Sequence, residues 1–347
     1  MTGGQQYLAE LREQPEVLAR LLRRGRPEVE AIAERLRGHP PTHVVIAARG
    51  SSDNAARYAQ YLFGAGNQLT VALAAPSLFT LYGAAPRMDS ALVLGISQSG
   101  QTPDVVAVID AARAQGCTTL AITNDVSSPL AQAAGHCLPL RAGEEAAVAA
   151  TKTFTAELLV LAMLSAALAD DAARWQELAA VPELAQRTID SNTELDAVTA
   201  LGHPSRLVVL ARGFNYASAF EIALKIKETS YVLAEPYSFA DLLHGPVAML
   251  EEGFPVLVVA PRGRSSGDVP RVVETVARRG ARLLAISDDD ALLAQAELGL
   301  RLPAGVPEWL SPFPAVIAGQ LLAGALAAAL GHDPDHPRGL TKVTLTR

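Results

Sequence analysis

The sequence predicts an α/β protein built from two copies of a parallel sheet flanked by helices. Short uncharged apolar runs alternate with longer amphipathic segments, which is the pattern of strands joined by crossover helices. The pattern also repeats, because THVVIAARG at 42–50 resembles RLVVLARG at 206–213, and TTLAITND at 118–125 resembles RLLAISDD at 282–289. The first pair is offset by 163 positions and the second by 164. Two matches at nearly one offset predict a duplicated unit, joined near residues 170–200.

The elements can be assigned in chain order. Residues 1–38 are expected to form two helices, with Pro15 and Pro27 near helix starts and Gly25 near a stop. A first domain at 39–180 and a second at 195–347 follow. In the first domain, strands are expected at 43–48, 69–74, 92–96 and 118–123, and helices at 55–63, 105–114 and 144–169.

The composition bounds the class of protein and its partners. Half of the 347 residues are hydrophobic and 19% are charged, which allows a large core. A net charge of −7 without any basic run argues against a nucleic-acid partner. Cys117 and Cys137 have neither metal-ligand spacing nor a disulfide count, so reduced thiols are expected. The charged N-terminus is unlike a signal peptide, and the apolar segment 315–330 is too short to span a bilayer comfortably. We expect a cytoplasmic protein with no membrane partner, metal or cofactor.

One stretch has the chemistry of an anion site. In LVLGISQSGQTPD at 92–104, an uncharged strand leads into a turn rich in hydroxyls and glycine. Pro103 suits the first turn of the helix that follows. Such a turn directs backbone N–H groups and three hydroxyls to one place, where the helix dipole favours an anion. The pattern is neither the P-loop nor the dinucleotide motif, so phosphate without a nucleotide is expected. An ordinary helix cap is the other interpretation.

The second copy lacks this turn and has a different set of polar residues. In EIALKIKETSYVLAEPYSFADLLHG at 221–245, Glu221, Lys225 and Glu228 share one helix face by their spacing of four and three. His244 follows in a loop. A helix carboxylate and a loop histidine are the usual groups for proton transfer. A solvated ion pair and a turn histidine are the structural alternatives.

Together these segments resemble the double-SIS family of sugar-phosphate isomerases. The resemblance is greatest to the isomerase half of glucosamine-6-phosphate synthase and its stand-alone deaminase and deglycase relatives. It implies two tandem SIS subdomains, each a flavodoxin-like three-layer sandwich. The matching segments, in the family's order, are ELREQP at 10–15, ARGSSDNA at 48–55, SQSGQTPD at 97–104, EEAAVAATKTFTAE at 144–157, ALKIKETSYVLAEPY at 223–237, LLHGP at 242–246 and LTKVT at 340–344.

The resemblance also implies a role for individual residues. Glu228 matches the glutamate that moves a proton between C1 and C2, and His244 matches the histidine that opens the pyranose ring. In the family that histidine comes from the other subunit, which implies a homodimer with shared active sites. Lys342 matches a tail lysine near the amine or carbonyl end of the substrate. The implied substrate-binding residues are Ser51, Ser52 and Val148 for the sugar, and Ser97, Gln98, Ser99 and Thr102 for the phosphate.

Two positions depart from the family's pattern. Gln101 stands where the synthases usually carry Glu. Ala150 stands where many relatives have Ser, which leaves one sugar hydroxyl contact, and with it the exact sugar, open.

The expected reaction is an isomerising deamination of an amino-sugar phosphate. The synthases carry an N-terminal glutaminase domain with a cysteine nucleophile, and no cysteine precedes Cys117 in this sequence. Without that ammonia supply, mass action favours glucosamine 6-phosphate plus water going to fructose 6-phosphate plus ammonia. The alternatives are a fructosamine-6-phosphate deglycase, an aldose/ketose phosphate isomerase, and a non-catalytic sugar-phosphate sensor. The sensor is disfavoured because the first 40 residues are too short and too acidic for a DNA-binding helix-turn-helix.

Overall fold

The computed structural model describes residues 3–342 and contains two parallel five-stranded sheets. Residues 343–347, which include the end of the LTKVT segment, lie outside the described range. The strands of the first sheet are β1 His43–Ala47, β2 Thr70–Leu73, β3 Ala91–Ile96, β4 Thr118–Thr123 and β5 His136–Pro139. Those of the second sheet are β6 Arg206–Ala211, β7 Leu233–Ser238, β8 Pro255–Val259, β9 Arg282–Ser287 and β10 Leu298–Arg301.

Both sheets have the same topology. The first has the order β2-β1-β3-β4-β5, and the second, read from its other edge, has the order β7-β6-β8-β9-β10. Every strand pair is parallel. An identical order in both halves confirms the predicted α/β fold with a duplicated parallel sheet.

The helices have the bounds α1 Gln5–Arg12, α2 Gln14–Gly38, α3 Ser51–Asn67, α4 Ser77–Thr80, α5 Pro103–Ala114, α6 Pro129–Ala133, α7 Lys152–Ala169, α8 Ala172–Leu178, α9 Val181–Ser191, α10 Tyr216–Ser230, α11 Phe239–Leu243, α12 Val269–Arg278, α13 Asp290–Leu293 and α14 Pro312–Ala329. Helices such as α3, α5, α10 and α12 connect successive strands of a sheet, whereas α1 and α2 precede β1 and α14 follows β10.

Backbone contacts divide the described chain into two compact units. The N-terminal unit comprises 15–146, 152–181 and the tail residues Thr341 and Lys342. The C-terminal unit comprises 3–14, 147–151 and 182–340. Each unit contains one sheet.

Side chains of the second sheet are buried on both of its faces. On β6, Val209 belongs to the cluster that includes Ile222 of α10, whereas Val208 and Leu210 belong to a second cluster with Val272 of α12. Successive residues of a strand point to opposite faces, so helices cover the sheet on both sides. This is the predicted three-layer arrangement.

Two helices have the length and composition of a membrane span. They are Lys152–Ala169 and Glu308–Ala329, and 89% and 78% of their apolar windows are buried inside the protein. Their burial is that of core helices. In the second of them, a Cβ at Gly319 would lie 2.2 Å from Ile222 Cγ1, so glycine allows α14 to pack closely on α10.

The structure corrects two element boundaries. The expected break near Gly25 and Pro27 is absent, because α2 continues from Gln14 to Gly38 with Leu21 and Val29 buried. The long helix expected from 144 begins at Lys152, because residues 144–151 form an irregular segment that precedes it.

Candidate active site

The predicted phosphate turn begins where β3 ends. All six residues of β3 are buried, and the Ser97 N–H donates to the Ile122 carbonyl of β4 at 3.1 Å. Gly100 then adopts φ +62°, a left-handed conformation that glycine favours. A Cβ at position 100 would lie 2.1 Å from Ser128 Oγ. The turn therefore depends on glycine both for its backbone conformation and for space.

The turn presents its hydroxyls at the N-terminus of α5. Ser97 Oγ accepts from the Gly100 N–H at 3.1 Å and lies 3.3 Å from Thr102 Oγ1. Ser99 Oγ accepts from the Gln101 N–H at 3.3 Å. Thr102 is the N-cap of α5, and within residues 3–342 its side chain makes no capping hydrogen bond. Pro103 has no N–H group, so the N–H groups that follow it in the first turn of α5, together with the helix dipole, are available to an anion.

An ion pair joins this turn to the loop after β1. Arg49 Nε and Nη2 donate to Asp104 Oδ2 at 2.7 and 2.5 Å, and Asp104 is buried. The C-terminal unit repeats the pair with Arg212 and Asp268, which lie 163 and 164 positions further along the chain. The repeat offset, applied to the acidic partners as well as to the Arg-Gly motifs, is the sequence signal that could have revealed it.

Ser51 and Ser52 begin α3, directly after β1. Because β1 and β3 are neighbours, these serines and the phosphate turn follow adjacent strands of one sheet. The order 2-1-3-4-5 reverses direction between β1 and β3, and in open α/β sheets ligands bind at such a switch point. Ser52 is buried and its hydroxyl donates to Glu157 Oε1 at 2.7 Å, while Ser51 is more exposed.

The candidate proton carrier lies in the last turn of α10, in the C-terminal unit. Glu228 Oε2 lies 2.6 Å from Lys225 Nζ, and Lys225 Nζ lies 3.4 Å from Glu221 Oε1. The side chains of Glu221 and Lys225 are 0% and 1% exposed, whereas that of Glu228 is 24% exposed. One buried ammonium thus holds two carboxylates, of which only Glu228 reaches solvent.

His244 is exposed at the end of α11. The backbone N–H of His244 donates to the Asp241 carbonyl at 3.1 Å. Its imidazole makes no hydrogen bond or ion pair across residues 3–342. A cavity of about 220 Å³ lies against it, lined in part by Arg212, Phe239 and Arg271. No hydrogen bond or ion pair joins His244 to Glu228 within residues 3–342.

Val148 lies in the segment 147–151 of the C-terminal unit and is partly buried. The Ala147 N–H donates to Glu10 Oε2 at 3.1 Å, and Gln320 Nε2 donates to the Thr151 carbonyl at 3.4 Å. Polar side chains of α1 and α14 therefore hold the backbone of this segment at both ends.

Lys342 forms an ion pair in the N-terminal unit. Its Nζ lies 2.6 Å from Glu145 Oε2, and the Glu145 carboxylate also accepts from Thr153. The sequence indicated both segments but not their pairing.

Other titratable groups in the N-terminal unit have shifted pKa values. Hydrogen bonds from Ser127 hold the pKa of Asp125, which follows β4, below its usual value. Burial raises the pKa of the free thiols of Cys117 and Cys137. Among residues 3–342, no group of three or more His, Cys, Asp or Glu side chains is arranged to hold a metal ion.

Comparisons with protein families, curated proteins and solved structures all point to the same family. A model of the SIS domain matches residues 39–167 and again 200–330. The glutamine–fructose-6-phosphate aminotransferase (isomerizing) of Pyrococcus horikoshii is 34% identical over 349 residues, which cover 98% of this chain and 58% of that protein. The chain thus spans little more than half the length of the curated relatives it matches.

Two solved structures share the fold over nearly the whole chain. One, named as a candidate phosphosugar isomerase of Silicibacter pomeroyi DSS-3, is 35% identical with a TM-score of 0.87, covering 95% of this chain and 99% of that one. The other is the C-terminal domain of glucosamine-fructose-6-phosphate aminotransferase from Francisella tularensis, 28% identical with a TM-score of 0.87. It covers 96% of this chain and 98% of its own.

Proposed function

This chain belongs to the SIS domain family, and from that premise we propose that it is an isomerising deaminase of an amino-sugar phosphate. The proposed reaction converts glucosamine 6-phosphate and water to fructose 6-phosphate and ammonia. The family supports the wider class, sugar-phosphate isomerase chemistry. The choice of an amino sugar is supported by the curated relatives, whose name joins an amino group to fructose 6-phosphate with isomerisation.

The observation that carries the proposal is the carboxylate of Glu228. Proton transfer between adjacent carbons requires a base that reaches the substrate and stays in one place. Glu228 is partly exposed, and its Oε2 is fixed by the buried ammonium of Lys225 at 2.6 Å. Oε1 remains on the same fixed carboxylate, so one oxygen can be oriented while the other accepts a proton. An ordinary surface ion pair would not use a buried lysine, because burying an ammonium is costly.

The phosphate turn supplies the second requirement, a fixed anchor for the substrate. The hydroxyls of Ser97, Ser99 and Thr102 surround the uncapped N-terminus of α5. Phosphate bound there would be held equally in the ground state and the transition state. It therefore contributes binding energy that orients the reacting carbons.

The proposed chemistry balances without an added oxidant or reductant. In the open-chain substrate, C1 is an aldehyde and C2 carries the amine. Glu228 removes the C2 proton while O1 gains a proton, which gives an enolamine. Glu228 then delivers its proton to C1 and the amine loses one, which leaves a C2 imine. Water adds to this imine, and ammonia leaves with formation of fructose 6-phosphate.

Three further roles belong to this proposal. His244 opens the pyranose ring, Lys342 acts near the amine or carbonyl end, and the chain works as a homodimer that shares active sites. An exposed imidazole with no partner in residues 3–342 supports a role for His244 toward a second subunit. The direction follows from mass action, because an assay without added ammonia favours its release.

The test is a panel of substrates given to the purified chain. Glucosamine 6-phosphate should release ammonia and fructose 6-phosphate in equal amounts, measured by separate coupled assays. Unphosphorylated glucosamine and N-acetylglucosamine 6-phosphate should release neither. If glucosamine 6-phosphate raises the unfolding temperature of the chain, and therefore binds, but no ammonia is released, the proposal is contradicted. Conversion of glucose 6-phosphate or of a fructosyl amino acid phosphate would instead assign an isomerase or a deglycase.

A further inference from the structure

Glu145 is a fully buried carboxylate that no part of the proposed reaction uses. Its side chain is 0% exposed, and it lies in the irregular segment before α7. Oε1 accepts from the Thr153 N–H at 3.1 Å, and Oε2 accepts from the Thr153 hydroxyl at 2.6 Å. A buried carboxylate needs compensation from donors or cations, and these bonds supply part of it.

The start of α7 favours a negative charge at this position. Because α7 begins at Lys152, the Thr153 N–H belongs to the first turn and has no partner within the helix. The helix dipole adds a favourable field for the carboxylate. The first turn of α7 thus fixes the Glu145 carboxylate through the N–H and hydroxyl groups of Thr153, without help from a long flexible side chain.

The third contact of Glu145 is with the tail lysine. Lys342 Nζ lies 2.6 Å from Oε2, and the lysine side chain is 24% exposed. The anion is therefore the rigid, buried partner and the cation is the one that reaches solvent. A lysine side chain without such a partner would sample many rotamers.

We propose that Glu145 is the positioning residue for Lys342. It holds the ammonium at one point beside the start of α7. The part of this inference that concerns catalysis rests on the proposed function, in which Lys342 acts at the amine or carbonyl end. The part that concerns the position of Lys342 rests on the contacts alone.

The first test measures the position of Lys342 without any reaction. The chain has only four lysines, Lys152, Lys225, Lys227 and Lys342, so acetylation kinetics can be resolved by mass spectrometry. A charge-assisted bond to Glu145 should slow labelling of Lys342, and Glu145→Gln should raise its rate about tenfold. Lys227 is partly exposed and has no ion pair in residues 3–342, so its rate should not change.

Matched variants separate this effect from general destabilisation. Glu144→Gln removes the neighbouring exposed carboxylate and should leave the labelling of Lys342 as in the wild type. Thr153→Val removes the hydroxyl bond to Oε2 and should raise the rate by a smaller factor. It also serves as the second variant if Glu145→Gln does not fold. Labelling of Lys342 that is unchanged in folded Glu145→Gln and Thr153→Val would overturn the proposal.

The second test asks whether the pair acts as a unit in turnover. Glu145→Gln and Lys342→Met should each lower kcat more than they raise KM, and the double variant should be no worse than Lys342→Met alone. Additive losses would show that Glu145 does not act through Lys342 and would overturn the catalytic part. If the wild type releases no ammonia while the labelling contrast holds, the deaminase assignment fails and the positioning of Lys342 stands.

Discussion

At the scale of single residues, the ion-pair chain on α10 is the most informative feature. Lys225 lies between Glu221 and Glu228 with its ammonium almost completely buried. Removing one partner from a buried ion pair leaves an uncompensated charge, which is strongly destabilising. The more exposed position of Glu228 makes it the member that can be changed without unfolding the helix.

Glu228→Gln should therefore fold normally and lose turnover. The amide keeps the volume and can leave its oxygen facing the Lys225 ammonium, but it cannot carry a proton. The expected fall in kcat is at least about 10²-fold, the usual contribution of a general base. Steady-state ammonia release measures it. Glu274→Gln, an exposed carboxylate on α12 paired with Arg278, is the matched control and should keep full activity. Near-normal turnover by Glu228→Gln would exclude Glu228 as the proton carrier.

At the scale of elements, the phosphate turn depends on one backbone conformation. Gly100 has φ +62°, and its carbonyl accepts from the Leu130 N–H at 3.1 Å. The turn is therefore attached to β3 at one end and to α6 at its middle. A change at position 100 should move the hydroxyls that surround the N-terminus of α5.

Gly100→Ala tests this dependence. The added methyl meets the left-handed backbone and the Ser128 hydroxyl, so we expect a loss of roughly 2–4 kcal/mol of stability and a large rise in KM. Gly116→Ala is the control, because Gly116 also has positive φ (+78°) but open space around its Cβ. It should cost only about 1 kcal/mol, with an unchanged KM. Urea denaturation measures the loss of stability, and steady-state kinetics measure KM. Equal losses of stability and equal KM values for Gly100→Ala and Gly116→Ala would contradict the steric account.

A second element-scale feature is the carboxylate cap on α1. Asp333 Oδ1 accepts from the Gly4 N–H at 2.9 Å, and Asp335 accepts from Gln6 and Tyr7. The hydrogen bond from His336 is the largest cause that lowers the pKa of Asp333, followed by backbone N–H groups of Asp335 and Gly4. A carboxyl whose folded-state pKa is depressed stabilises the fold above its unfolded pKa, and this stability disappears as pH falls through the folded value.

Asp333→Asn should therefore lower the urea midpoint at pH 7. The difference from the wild type should shrink as the pH falls below about 3.9, the ordinary pKa of an aspartate. Asp110→Asn, an exposed aspartate on α5, should show no such pH-dependent difference. A gap between Asp333→Asn and the wild type that persists unchanged in acid would contradict the linkage.

The sequence pattern predicted β1, β3, β4, β6 and β9, which are apolar runs, and also the short edge strand β2. It did not assign β8, although all five residues of that strand are buried. The edge strands β5, β7 and β10 were missed because their residues are partly exposed, and Pro236 interrupts the pattern in β7.

The candidate site likewise combines features that local sequence patterns predict with contacts between distant residues. The phosphate turn and the face shared by Glu221, Lys225 and Glu228 follow from local spacing. Arg49–Asp104 and Glu145–Lys342 join residues far apart in sequence. The repeat offset is the one sequence signal for the first pair, and only the folded chain reveals the second. A lysine in a tail and a glutamate before a helix each have ordinary surface explanations when considered alone.

At the scale of the whole molecule, the duplicated unit occurs in two copies with different polar residues. Two sheets of identical order carry different loops: the first retains the anion turn, and the second contributes the ionisable helix and the His244 loop. In the proposed homodimer, a symmetric pair would give two equivalent sites.

Subunit exchange tests the shared site. Glu228→Gln and His244→Ala homodimers should each be inactive. After full random exchange, half of the dimers are mixed, and each mixed dimer has one site with both defects and one with neither. Activity should therefore recover to about a quarter of the wild-type value. Exchange is confirmed by mass spectrometry, and no recovery after confirmed exchange would place His244 in the site of its own subunit.

The central claim, that this chain moves a proton between C1 and C2 of an amino-sugar phosphate, is tested most directly with a deuterium label. Glucosamine 6-phosphate deuterated at C2 is incubated with the chain, and the fructose 6-phosphate formed is analysed by NMR. The account predicts deuterium at C1 of part of the product, since one carboxylate carries the proton between the two carbons and exchanges some of it with water. It predicts no label transfer with Glu228→Gln. Fructose 6-phosphate that forms at the wild-type rate with no deuterium at C1, or label transfer that persists in Glu228→Gln, would contradict it.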